Sequence, residues 1–260
     1  MPVALARVLD YFIQPRWWVE IIVLGGLYAI YSVIRNSVHS EVSQAFVNGR
    51  WILDFEDRWG LAWERGLNSF VDHTPAVAAV CAVDYASLHF IVTPAVLIWL
   101  FVAHRSRYRL GSSVLVLTTL LALIGFFAMP TAPPRMFADE HFVDIMAKTG
   151  SWGWWPESGA PASDAVSNQF AAMPSLHCAW ATWCGIMLWL YARRLWVRVL
   201  GLLYPFTTFF VVMGTGNHYL LDVLAGLATL AAGALIAFGL RYAWRCYLRY
   251  ALRRSGPAAS

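Results

Sequence analysis

Apolar residues fall into six long runs, at about 17–35, 74–103, 111–130, 172–191, 197–215 and 218–240, parted by short polar turns. Each run is close to the ~20 residues that a helix needs to cross a bilayer. No small-residue cleavage site follows the first run, so it reads as an anchor and not as a cleaved signal. Residues 1–16 are mixed in character and predict an interfacial helix ending at the Trp17-Trp18 pair. Residues 36–73 differ in kind. There Phe46, Trp51, Ile52, Phe55, Trp59, Trp63, Leu67 and Phe70 recur at helical spacing, with Glu41, Asp54, Glu56, Asp57, Glu64, Arg50, Arg58 and Arg65 between them. This pattern is amphipathic but too charged to span, and it predicts helix lying along the bilayer surface. A soluble helical hairpin is the alternative for its second half. The longest loop, 131–170, carries Trp152, Trp154 and Trp155, and loops of that length are commonly functional or disordered.

The fold class predicted is therefore an all-α integral membrane protein: a six-transmembrane-helix bundle with an amphipathic interfacial segment between the first two spans. Residues 1–73 form the N-terminal part, 74–240 the transmembrane core and 241–260 a basic cytoplasmic tail. Composition agrees, with 59% hydrophobic and 13% charged residues and a mean hydropathy of +0.55. The four cysteines have neither a metal spacing nor a disulfide framework and read as small core residues. Charge adds an orientation. Thirteen arginines fall on the side of the two termini, and six basic residues with most of the acidic ones fall on the other. The positive-inside rule then makes both termini cytoplasmic.

That orientation brings Arg135, His177 and His218 together on the outer face, which is periplasmic or lumenal. Pro174-Ser175-Leu176-His177 opens the fourth span, with the proline placed in the first helical turn. The N–H groups of Ser175, Leu176 and His177 are then unpaired donors at a positive helix end, which suits a phosphate. His218 and Asp222 are four apart and share a helix face. The carboxylate can hold one ring nitrogen and leave the other free to attack, while His177 can protonate a leaving oxygen as general acid. Arg135 offers a forked anion clamp. Asp84 and His89 lie inside the second span, where ionisable groups face the bundle interior or a polar cavity. Tyr85 and His89 share a face, and these three residues are substrate-facing candidates; buried packing is the alternative for His89. A metal site from His177, His218, Asp222 and His89 is a competing arrangement without a recognised ligand spacing.

These residues resemble the type-2 phosphatidic acid phosphatase superfamily of membrane phosphatases and phosphotransferases. Its motifs are Lys-x6-Arg-Pro, Pro-Ser-Gly-His and Ser-Arg-x5-His-x3-Asp. Arg135 looks like the arginine of the first, Pro174-Ser175-Leu176-His177 like the second, and His218 with Asp222 like the third. The resemblance covers roughly 74–240. It implies a six-helix bundle, His218 as nucleophile, Asp222 as its partner and His177 as the acid. The His218–Asp222 spacing and the lack of a metal motif predict turnover with neither metal nor cofactor. The chain departs from the family pattern at Ala128, Leu176 and Val212, which stand where the family has lysine, glycine and arginine. Asn217, Lys148 or loop backbone are the candidates to make up the missing phosphate contacts. Pro-Pro-Arg, Pro-Ser-Leu-His and Asn-His-Tyr-Leu-Leu-Asp look most like the branch related to inositol phosphorylceramide synthases. That implies a phosphotransferase moving a phosphate or phospho-head-group, with a lipid or polyprenyl phosphate phosphatase as the alternative. The implied partners are a phospholipid or polyprenyl phosphate and the bilayer, with no nucleic acid.

Overall fold

The computed structural model describes residues 15–23, 25–26, 29, 42–155 and 169–254. The interfacial helix expected at 1–16 and the last third of the first span lie outside them, as do loop residues 156–168 and the chain end from 255. Among the described residues the chain is helical, with one isolated bridge between Thr131 and Ala171. Helices α1 (Val42–Trp59) and α2 (Trp63–Asp72) precede α3 (Pro75–Ala103) and α4 (Arg105–Ala128). Two short 3₁₀ turns and α5 (Ile145–Thr149) follow, then α6 (Leu176–Tyr191), α7 (Leu195–Gly214) and α8 (Leu220–Arg254).

Helices α3, α4, α7 and α8 are long and apolar enough to cross a membrane, and the protein is an integral membrane protein. Their outward residues, among them Ile98, Phe127, Phe206 and Leu235, are exposed, as they are when the surrounding solvent is lipid. Helix α6 has 16 residues. It is short for a full crossing and begins four residues later than hydropathy predicts. The reason is local: Ser175 caps the helix by accepting from Cys178 N, so Pro174 stands outside the first turn. Helix α4 begins six residues before the expected span, and α8 continues past residue 240 through the basic segment. Hydropathy finds the part of a helix inside the bilayer, while backbone hydrogen bonding carries the helix beyond it.

Helix α6 is the centre of the bundle and packs on α3, α4, α7 and α8. Its Trp183 is buried and donates from Nε1 to the carbonyl of Gly111 at 3.0 Å. Gly185 and Gly201 let α6 and α7 touch backbone to backbone; a Cβ on Gly185 would stand 2.5 Å from the Gly201 carbonyl oxygen. At the opposite end from the site, Glu20 of the helical segment 17–23 accepts from Tyr108 Oη at 3.0 Å and pairs with Arg109 Nη1 at 2.6 Å.

From residue 42 on, the region 36–73 is two helices whose faces are apportioned differently from the expected pattern. Phe46, Trp51, Trp59, Trp63 and Phe70 point outward and are exposed, while Glu56, Glu64 and Asn68 point inward and are buried. The face that packs on the bundle is mixed: Ala45, Ile52, Leu53 and Val71 are buried in it beside these polar side chains. Half-buried Arg50 and Arg65 are tied to Glu140, with Asp139 and Asp57 as further partners, which holds α1 and α2 against the long loop.

Candidate active site

The segment that follows α7 builds the site. Thr215 donates from Oγ1 to Val211 O at 2.8 Å, and the N–H groups of Asn217 and His218 both reach Val212 O, at 3.0 and 3.1 Å. The turn needs a left-handed residue, supplied by Gly216 with φ +75°, and Arg135 N donates to its carbonyl at 2.8 Å. Asn68 of α2 clamps the same turn, donating to Val143 O and Gly214 O and accepting from Val143 N. Nothing local in the sequence marks Asn68 for this role, since its partners lie far along the chain.

His218 emerges from this turn almost wholly buried, with Nδ1 3.1 Å from Oδ2 of Asp222. The same oxygen accepts from Tyr219 N at 3.0 Å, and Asp222 has no exposure at all. A carboxylate can only accept, so Nδ1 carries the proton and Nε2 holds the free lone pair. The ring of His177, at the start of α6, is centred 5.8 Å from that of His218. Tyr85 stacks on His177 at 4.9 Å, and His89 meets it edge-on at 4.3 Å. Asp84, Tyr85, His89 and His177 share with Tyr204 and Thr208 a small cavity of about 10 Å³, close to the room one water needs.

The remaining candidates fall as follows. Ser175 is buried and its N–H donates to the backbone carbonyl of Asp222 at 3.0 Å, so it joins α6 to α8 and is not a free anion donor. The first helical N–H groups, of Leu176 and His177, have no intrahelical acceptor. Arg135 donates from Nη1 to Asn217 Oδ1 at 2.6 Å, and its Nε lies 3.2 Å from Asp144 Oδ2. Asn217, the residue before His218, thus holds the guanidinium, and Asp144 offsets its charge. Lys148 is bound to Asp72 at 2.5 Å, which ties it to the end of α2. Val212, at the position of the family's second arginine, is buried among Cys178, Met213 and Val223. Among the described residues, no three His, Cys, Asp or Glu side chains are placed to hold one metal ion.

A buried imidazole held by a carboxylate, a second imidazole with its ring centre 5.8 Å away, and a guanidinium bonded to the adjoining Asn217 meet at one end of a membrane-helix bundle. A family model for the PAP2 superfamily, the type-2 phosphatidic acid phosphatases, matches residues 50–236, and the chain belongs to that superfamily. No match is found among curated proteins or among solved structures. Members are phosphatases or phosphotransferases, which makes this an enzyme of that general class acting in lipid chemistry.

Proposed function

We propose that the protein is a membrane lipid phosphotransferase of the inositolphosphotransferase type, working through a phosphohistidine on His218. The observation that carries this reading is the His218–Asp222 contact with His177 facing it. Nε2 of His218 attacks phosphorus as the bond to the leaving alcohol oxygen breaks. His177 gives that oxygen its proton. The acceptor alcohol then loses its proton to His177 and attacks phosphorus, and the P–N bond breaks to restore His218. Charge development is met by Arg135 and the N–H groups of Leu176 and His177, so no step is routed through a metal.

Transfer of a phospho-head-group is favoured over release of phosphate by the charge in the site. Arg135 is the one cation bonded to a neighbour of His218 among the described residues, and Asp144 shares it. Arg50, Arg65 and Lys148 are held by carboxylates of their own. One shared guanidinium suits a singly charged phosphodiester better than a phosphomonoester, which carries about −1.5 to −2 at neutral pH. Asp84, Tyr85 and His89 complete the substrate-facing wall on the far side of His177. The outward aromatic residues of α1 and α2 fit an interfacial position on the outer side, with both termini cytoplasmic.

The experiment is turnover by purified protein, in chelator, on head-group-labelled phosphodiester lipids with an acceptor alcohol, and in parallel on phosphatidic acid. The expected result is labelled head group on the acceptor, together with acid-labile, base-stable label on the native enzyme that is missing from His218→Ala. Release of inorganic phosphate from monoesters alone would transfer the assignment to the phosphatase reading.

A further inference from the structure

Two carboxyl groups that this mechanism does not use lie directly under the nucleophile's helix. Glu56 of α1 and Glu64 of α2 have no exposure to solvent. Glu56 Oε1 accepts from the backbone N–H of Leu221, in the first turn of α8, at 2.6 Å. Glu64 lies against Glu56 and faces the N–H of Leu220. Asp222 and Tyr219 face the pair from α8 and the turn before it, and Arg65 faces it from α2. Glu56 Oε2 and both oxygens of Glu64 are buried without a hydrogen-bond partner among the described residues.

Two adjacent ionised carboxylates are acceptors only and cannot satisfy one another. A proton held between them supplies the missing donor and removes one of two like charges from an apolar wall. Burial acts in the same direction. It pushes Glu56 up to about 9, with the charges of Glu64 and Asp222 adding to the effect, and it raises Glu64 as well.

We propose that Glu56 and Glu64 are positioning residues for the nucleophile: sharing one proton, they grip the first turn of α8 and so keep Asp222 against His218. The orphan N–H groups of that turn would otherwise compete for the carboxylate of Asp222, whose Oδ2 already takes Tyr219 N. Loss of the shared proton places two, and with Asp222 three, like charges around one helix start and loosens it. Neither glutamate touches substrate. The catalytic consequence rests on His218 being the nucleophile; the grip on α8 does not.

The test pairs two readouts on the full-length protein in detergent. Hydrogen exchange is followed at the amides of 219–223 from pH 7 to 10, as the ratio of variant to native at each pH. The pH profile of kcat is measured alongside it. Glu64→Gln supplies a permanent neutral donor. It should shift the alkaline fall of kcat upward by about one pH unit or more, and keep these amides protected at pH 10 where the native protein has lost protection. Glu64→Leu should lower kcat by roughly 10–100-fold with KM little changed, as expected for a misplaced catalytic group. Native-like pH profiles and exchange in Glu64→Gln would overturn the proposal, even if Glu64→Leu failed to fold. If exchange responds as described while the native protein transfers no phosphoryl group, the positioning role stands and the phosphohistidine reading falls.

Discussion

Nδ1 of His218 and Oδ2 of Asp222 stand 3.1 Å apart in a wall that leaves the carboxylate wholly buried. An imidazole so held presents one nitrogen in one tautomer, and that is the arrangement an attacking histidine needs. Asp222→Asn keeps the shape, and its amide oxygen can take the place of Oδ2 toward Tyr219 N and Nδ1, but it removes the negative charge that orients and stabilises the ring. The expected outcome is a fall in kcat of about 10³–10⁴-fold with the melting temperature nearly unchanged. A loss under tenfold would remove the orienting role.

Arg135 makes directed bonds through two different nitrogens, Nη1 to Asn217 and Nε to Asp144. Lysine can supply charge there but not that fork. Arg135→Lys is therefore expected to lower kcat/KM by about 10–100-fold, the scale of one charge-assisted hydrogen bond, and Arg135→Ala to lower it further. Equal values for lysine and arginine, measured on the same lipid, would show that only net charge matters.

The grouping of His177, His218 and Asp222 at the starts of α6 and α8 was legible because its signals are local. His218 and Asp222 are four residues apart, although His218 proved to stand in the turn ahead of α8 and not on the helix, and Pro174-Ser175-Leu176-His177 announces a helix start even though the cap proved to be Ser175. Hydropathy located the long apolar helices for the same reason, and it missed their ends because charge does not terminate a helix. The inward face of α1 and α2 was not legible. Its period was plain, but period does not say which face meets the protein when lipid is the solvent: the aromatic face looks outward and Glu56, Glu64 and Asn68 look in. The pairing of Arg135 with Asp144 and the clamp by Asn68 are likewise tertiary facts with no local mark.

Glu56 also carries a prediction about stability. Its ordinary value is 4.5 and burial raises it to about 9, so between those limits the folded protein holds a proton that the unfolded chain has released. Stability is then greatest below the lower limit and falls as pH rises through the window, by at most about 1.4 kcal/mol per pH unit for one proton. Melting temperature in detergent, followed by tryptophan fluorescence from pH 5 to 9, should decline. The Glu56→Gln, Glu64→Gln double variant should flatten that decline, and an unchanged slope would show that other groups carry it.

The arginine asymmetry predicts which side of the membrane each turn faces. Ser106, at the start of α4, and Ser151, just after α5, are both exposed. Of the native cysteines Cys81, Cys178 and Cys184 are buried and Cys246 is exposed, so removal of Cys246 gives a quiet background. Cysteine at position 151 should react with an impermeant maleimide on intact cells, and cysteine at 106 only after permeabilisation. The reverse pattern would invert the topology.

The two histidines can be told apart by the leaving group. His177 sits at the open N-terminal end of α6, its ring 5.8 Å from that of His218 and packed between Tyr85 and His89. If it protonates a departing alkoxide, its removal should matter in proportion to how poor that leaving group is. His177→Ala is expected to lose about 10²–10⁴-fold in kcat on natural lipids, the usual worth of a general acid. A nitrophenyl phosphodiester leaves without a proton and should recover a large part of that loss. His218→Ala should be inactive on both, since no leaving group replaces the nucleophile. The measurement is a rate comparison of the two variants on both substrates, with the acid-labile, base-stable adduct quantified after rapid alkaline quench. Equal losses of His177→Ala on both substrates would assign His177 to binding, and adduct surviving in His218→Ala would place the nucleophile elsewhere.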